Sequence, residues 1–219
     1  MPGPDRMTSN SSSSVALGVL ISGRGSNLRA IAEAVAAGEI PATIAIVISN
    51  DSAAGGLAFA RERGIPTAVI HHRDFGSRHD FDLALVAELR RHHVTLVCLA
   101  GFMRLLGQDF CAAFPDAILN IHPSLLPAFP GTHAQRQALE HGARVSGATV
   151  HFVTPALDAG PIVAQAAVPV EDDDSEASLS ARILDVEHRL YPSAIRDIIR
   201  ADWRIEGRRV IFRGATRRI

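Results

Sequence analysis

Cysteine is scarce in this chain, with only Cys98 and Cys111 among 219 residues, and they form no Cys-x-x-Cys pair. Cys98 stands inside the apolar run Val97-Cys98-Leu99-Ala100, where a reduced, packed thiol is expected, so the compartment is read as reducing. No segment approaches the roughly 20 apolar residues of a membrane span, and the first fourteen residues lack the apolar core of a signal peptide. Excess charge is missing too: 22 basic residues face 23 acidic ones, and the basic ones are scattered until the short tail Arg217-Arg218. That balance gives no electrostatic footprint for a nucleic-acid backbone. These absences predict a soluble, cytoplasmic protein that binds neither nucleic acid nor membrane. What remains is 47% hydrophobic and 21% charged, enough apolar matter for a sizeable core in one enzyme-sized domain.

Residues 1–14, with Pro, Gly, Asn and a four-serine run, cannot bury enough surface to offset ordering entropy, and are read as a disordered leader. Residues 15–219 are read as a single domain. Short apolar runs at Val15 to Ile21, Thr43 to Ser49, Thr67 to Ile70, Leu96 to Leu99 and Ile118 to Ile121 predict strands. Helices are expected between them. Leu28, Ile31, Ala32 and Val35 recur at helical spacing, as do Phe81, Leu85 and Leu89 behind a capping pair of Ser77 and Asp80. Parallel strands joined by helical crossovers follow, giving an α/β, doubly wound, mainly parallel sheet with a mixed C-terminal part. That part should hold a helix from Ala134 to Glu140 and strands over Ala148 to Val153 and Ile162 to Val168. A long helix should follow the acidic run Glu171 to Asp174. Pro192 is expected to kink or divide that helix, and Trp203 to Phe212 to form a hairpin turning at Gly207.

Asn120 and His122 stand two residues apart at the end of the apolar run Ala117-Ile118-Leu119, just before Pro123. That spacing directs both side chains to one side of a strand, and the proline stops the ladder directly after them. The carboxyl ends of strands in open parallel sheets line the ligand crevice, so the two are candidates for a hydrogen-bond donor and a general acid/base. The competing reading is a pair of turn caps. Ser22-Gly23-Arg24-Gly25-Ser26-Asn27 follows the first strand and opens the first helix, where backbone N–H groups, the Ser26 hydroxyl and the Asn27 amide would receive an anion such as a phosphate. It is neither a Walker loop nor the full dinucleotide fingerprint, and a simple βα turn competes with the anion reading. Asp158, in the turn Leu157-Asp158-Ala159-Gly160-Pro161, matters only beside His122, where a carboxylate would fix the imidazole tautomer and favour the protonated ring. His133 and His151 could join the same crevice as a three-histidine metal site, although the spacings fit no familiar zinc pattern.

Together with Leu99-Ala100-Gly101-Phe102-Met103-Arg104, Val150-His151-Phe152-Val153 and Glu187-His188-Arg189-Leu190-Tyr191-Pro192, these segments resemble the folate-dependent phosphoribosylglycinamide formyltransferases of purine biosynthesis over nearly the whole chain after Val15. The resemblance implies a Rossmann-like formyltransferase fold and a one-carbon transfer. The amine of glycinamide ribonucleotide would attack the formyl carbon of 10-formyltetrahydrofolate, giving formylglycinamide ribonucleotide and tetrahydrofolate. No metal is implied. By resemblance Asn120, His122 and Asp158 are catalytic. Gly25, Ser26 and Asn27 hold the ribonucleotide phosphate and Glu187 the glycinamide end. Arg78, Met103, Arg104, Leu105, Leu106 and Asn120 contact the folate. Taken alone, Met103 to Leu106 could simply be core and Arg78 an exposed helix residue.

Arg24 and Leu184 depart from the family pattern, which bears on phosphate and amide-end contacts but not on the chemistry. Relatives use the same formyl donor for other reactions. Formyltetrahydrofolate deformylase, a hydrolase, is the runner-up, but it usually carries an N-terminal regulatory domain that fourteen residues would not supply. Methionyl-tRNA formyltransferase adds a C-terminal domain and suits a more basic chain. A non-catalytic phosphate-binding module would need the glycine loop alone.

Overall fold

The computed structural model describes residues 15–213, and the leader read into residues 1–14 lies outside them. Strand β1 (Val15–Ile21) leads through the glycine-rich segment to helix α1 (Ser26–Ala36), followed by β2 (Ala42–Ser49), α2 (Gly55–Glu62) and β3 (Thr67–Val69). A 3₁₀ turn (His72–Asp74), α3 (Arg78–Arg91), β4 (Leu96–Leu99), α4 (Gln108–Ala113) and β5 (Ile118–His122) come next. Helix α5 (Ala134–Glu140), β6 (Val145–Phe152), β7 (Ile162–Pro169), α6 (Glu176–Arg200), β8 (Trp203–Glu206) and β9 (Arg209–Phe212) complete the described residues.

All these strands join one sheet in the order β3-β2-β1-β4-β5-β6-β7-β9-β8. Pairing from β3 through β5 is parallel, whereas β5 with β6 and β6 with β7 run antiparallel. The two-residue period sorts the side chains. Leu17, Val19 and Ile21 pack with Leu28 and Ile31 of α1, Leu57 of α2 and Ile183 of α6, while Leu20, Ile46 and Ile48 meet Phe81, Leu85 and Leu89 of α3 on the other face. Continuous apolar runs are what strands covered on both faces require. The chain leaves β1 toward β2 and β3, then returns to β4 on the other side of β1, so the loops after β1 and β4 flank a topological switch point. Ligands of such sheets bind there.

Ser77 caps α3 as expected, its Oγ accepting the Asp80 N–H at 3.1 Å. Helix α6 runs as one 25-residue helix through Pro192, so the proline does not divide it. An interior proline costs about 3 kcal/mol, but burying each large apolar side chain returns about 1.5–3 kcal/mol. Leu179, Ile183, Tyr191, Ile195 and Ile198 are all buried on the sheet side of α6. Tertiary packing therefore outweighs the local break. The terminal hairpin forms with Gly207 at φ +58°, and no helix among the described residues is long and apolar enough to cross a membrane.

Candidate active site

Asn120 and His122 occupy the last turns of the β5 pleat on one face, opposite Leu119 and Ile121, which enter the core. Antiparallel pairing sets His151 of β6 directly across from Asn120 and Thr149 across from His122. The Asn120 Nδ2 lies 3.2 Å from His151 Nε2, and His151 Nδ1 lies 2.9 Å from the Phe152 carbonyl oxygen. A carbonyl accepts only, so Nδ1 carries the proton and Nε2 receives the Asn120 N–H. Burial holds His151 below the ordinary histidine range, which preserves that neutral tautomer.

His122 donates from Nε2 to the Phe129 carbonyl at 2.9 Å, while its Nδ1 lies 3.5 Å from Asp158 Oδ2. Asp158 Oδ1 lies 3.7 Å from His151 Nε2, and Oδ2 accepts the Gly131 N–H at 2.8 Å. None of the three side chains is more than 9% exposed, so electrostatic interactions among them are little screened by water. Gly160 permits this approach: a Cβ there would lie 1.8 Å from the Phe152 carbonyl oxygen, so only glycine lets the 157–161 turn close on β6. Beneath the site, Thr149 Oγ1 donates to the Ser124 carbonyl and accepts the Leu126 N–H, while Gln165 Nε2 donates to the Leu126 carbonyl. These bonds fasten the segment that brings Phe129 to His122. His133 does not join the crevice; it precedes α5 at the surface, 3.8 Å from Glu176, so the three-histidine cluster does not form.

At the glycine loop, Gly25 caps α1 with φ +76°, and a Cβ there would lie 2.7 Å from the Gly56 Cα. The loop thus rests directly on the start of α2. First-turn N–H groups of a helix lack intrahelical acceptors and favour an anion. The Asn27 side chain turns elsewhere: its Nδ2 donates to Glu187 Oε2 at 2.7 Å, with both residues buried. One of the two Asn27 N–H donors expected to serve the anion is thereby engaged by Glu187. Tyr191, one turn beyond Glu187, places its Oη 3.1 Å and 2.9 Å from the Leu99 and Leu119 carbonyl oxygens, docking α6 over β4 and β5.

Burial pushes the Glu187 carboxyl up to about 7 from its ordinary 4.5, with the Asn27 N–H pulling the other way. The fold therefore favours the protonated acid. Its contribution to stability is complete below about pH 4.5 and is lost as pH rises through about 7. Glu187→Gln is expected to recover on the order of 2–3 kcal/mol of unfolding free energy at pH 8 relative to wild type, and little at pH 4.5. Urea unfolding at the two pH values checks this, and a variant with the wild-type pH slope would show that Glu187 ionises freely in the fold.

Residues 16–195 match the family described as formyl transferase. The phosphoribosylglycinamide formyltransferase of Escherichia coli is 45% identical over 190 residues, covering 87% of each chain. The chain belongs to this family. Glycinamide ribonucleotide transformylase 1 from Symbiobacterium toebii superimposes with a TM-score of 0.90 at 51% identity, over 92% of this chain and 95% of that one. The trifunctional purine biosynthetic protein adenosine-3 of Drosophila melanogaster is 48% identical over 183 residues, and this chain spans 14% of its length. A formyltetrahydrofolate deformylase from Pseudomonas syringae shares the fold at only 25% identity.

Met103-Arg104-Leu105-Leu106 lies in the loop after β4. Met103 and Leu105 are 67% and 58% exposed, whereas Phe102 and Leu106 enter the core, so the loop is not simply packing material. Leu157 adds another exposed apolar side chain. Arg104 Nε donates to the Met103 carbonyl at 2.8 Å, and Arg78 lies exposed in the first turn of α3. Sequence reasoning missed the acceptor role of His151, the Thr149 and Gln165 anchors, and the Phe129 carbonyl. Finding them requires the β5–β6–β7 register, which the apolar pattern leaves open.

Proposed function

We propose that the chain transfers the formyl group of 10-formyltetrahydrofolate to the amine of glycinamide ribonucleotide in the cytoplasm, as one domain from residue 15 onward. The observation that carries this reading is the convergence of Asn120, His122 and Asp158 at the end of β5 in a chain of this family. The amine nitrogen bonds to the formyl carbon, whose oxygen becomes an oxyanion. One Asn120 N–H is taken by His151, which fixes the amide orientation and leaves the second N–H for that oxyanion. Both ring nitrogens of His122 face oxygens, an arrangement suited to the imidazolium, whose charge Asp158 balances. A proton leaves the attacking nitrogen and reaches the folate N10 by way of His122 or water, and the C–N10 bond breaks.

Gly25 and Ser26, with the backbone N–H of Asn27, suit the ribonucleotide phosphate, and the buried Glu187 carboxyl suits the glycinamide end. Met103, Arg104 and Leu105 line the folate side, with Leu106 packed into the core beneath them and Arg78 toward the folate's acidic tail. Tetrahydrofolate release measured with and without glycinamide ribonucleotide, with formate and formylated product followed separately, tests the reading. Release that depends on the ribonucleotide and yields formylated product supports the transferase. Ribonucleotide-independent release with formate supports the hydrolase instead.

A further inference from the structure

Ser22, the first residue after β1, has no part in the chemistry above, yet its hydroxyl joins three loops at the switch point. Its Oγ accepts the Met103 N–H at 2.8 Å and donates to Asn50 Oδ1 at 2.6 Å in the loop after β2. Its own backbone N–H donates to the Gly101 carbonyl at 3.1 Å. The hydroxyl thus uses its one proton on Asn50 and a lone pair on Met103, so its rotor is fixed. On the other side, Gly23 accepts the Gly56 N–H at 3.2 Å, and Gly25 rests on Gly56. The far end of the Met103 loop is held separately, where Gly107 N–H donates to Asp82 Oδ2 at 2.7 Å. Between those two pins the loop exposes Met103 and Leu105. The Ser22 hydroxyl is therefore the side-chain link between the glycine loop and the Met103 loop, beside the backbone bond from Ser22 to Gly101.

We infer that Ser22 is a positioning residue that splints the anion-binding loop to the folate-side loop, so that binding of either co-substrate strengthens binding of the other. The inference rests on the proposed assignment of those loops to ribonucleotide and folate. A ligand that orders Gly23 to Asn27 holds Ser22 still, and the Met103 loop then gives up less freedom when the second ligand arrives. Linkage makes the effect reciprocal.

Tetrahydrofolate and glycinamide ribonucleotide cannot react with each other, so their joint binding is measurable by calorimetry on the full chain. In wild type each is expected to tighten the other by about three- to tenfold, the value of one hydrogen bond expressed as affinity. Ser22→Ala should bring that factor to within twofold of unity and raise the KM for 10-formyltetrahydrofolate by about three- to tenfold, with a much smaller change in kcat. Ser22→Thr, which keeps the hydroxyl, should retain the coupling. Asn50→Ala, which frees the hydroxyl to rotate, should fall between the two. Wild-type binding without mutual enhancement, or a Ser22→Ala chain with the wild-type factor, overturns the inference. Failure of the functional reading is separable: it shows as wild-type enzyme that makes no formylated product whatever the coupling.

Discussion

Replacing His122 by alanine is expected to lower kcat by about 10²- to 10⁴-fold, the range associated with loss of a positioned proton donor. The argument starts from burial. His122 is 4% exposed and reaches only oxygen atoms, the Phe129 carbonyl at Nε2 and Asp158 beyond Nδ1. No second histidine can replace it, because His151 is held neutral by burial and uses Nε2 to accept from Asn120. Removing the imidazole leaves Asp158 with its Gly131 N–H but without a partner cation, so the site gains net negative charge where an oxyanion must form. The glycine loop lies on α1 and is untouched, so affinity for glycinamide ribonucleotide should change less than about threefold, a shift within the value of one hydrogen bond. Single-turnover formylation and ribonucleotide calorimetry on the same preparation separate the two quantities. Near-normal turnover would remove His122 from the mechanism.

Legibility in the sequence follows the range of the interaction that decides each feature. The bounds of β1 and β4 coincide with the apolar runs Val15 to Ile21 and Leu96 to Leu99, because strands buried on both faces require apolar residues at every step. The α3 cap was equally local, since Ser77 and Asp80 are three residues apart. The shared face of Asn120 and His122 follows from the pleat alone. Other features depend on partners distant in sequence. Asn27 reads as an exposed donor beside two glycines, yet its amide is buried against Glu187, 160 residues away. His151 reads as a possible metal ligand until the antiparallel register sets it opposite Asn120. Pro192 reads as a kink or a break because local propensity does not include the packing in which α6 is buried. Met103 and Leu105 show the converse: apolar residues outside the core, beside Phe102 and Leu106 within it. Composition cannot distinguish those two pairs.

Asn120→Ala is expected to cost about 10²- to 10³-fold in kcat, or about 3–4 kcal/mol of transition-state stabilisation, with little change in the KM for either co-substrate. The amide donates without titrating, and its partner charge exists mainly once the formyl carbon is tetrahedral. Its orientation is already set before substrate arrives, since His151 Nε2 selects which end of the amide is nitrogen. A donor held in place requires no reorganisation during the reaction, which is why its loss should appear in kcat. The substitution also strips the buried His151 Nε2 of its donor, an unsatisfied acceptor costing about 1–3 kcal/mol of stability. Denaturation curves must therefore accompany the kinetics, so that loss of folded enzyme is not counted as loss of rate. Asn120→Asp sharpens the test, because an added carboxylate would repel the oxyanion and fall below the alanine variant. An effect confined to KM, or an aspartate variant faster than the alanine one, would mean that Asn120 binds substrate without stabilising the charge that develops on the formyl oxygen.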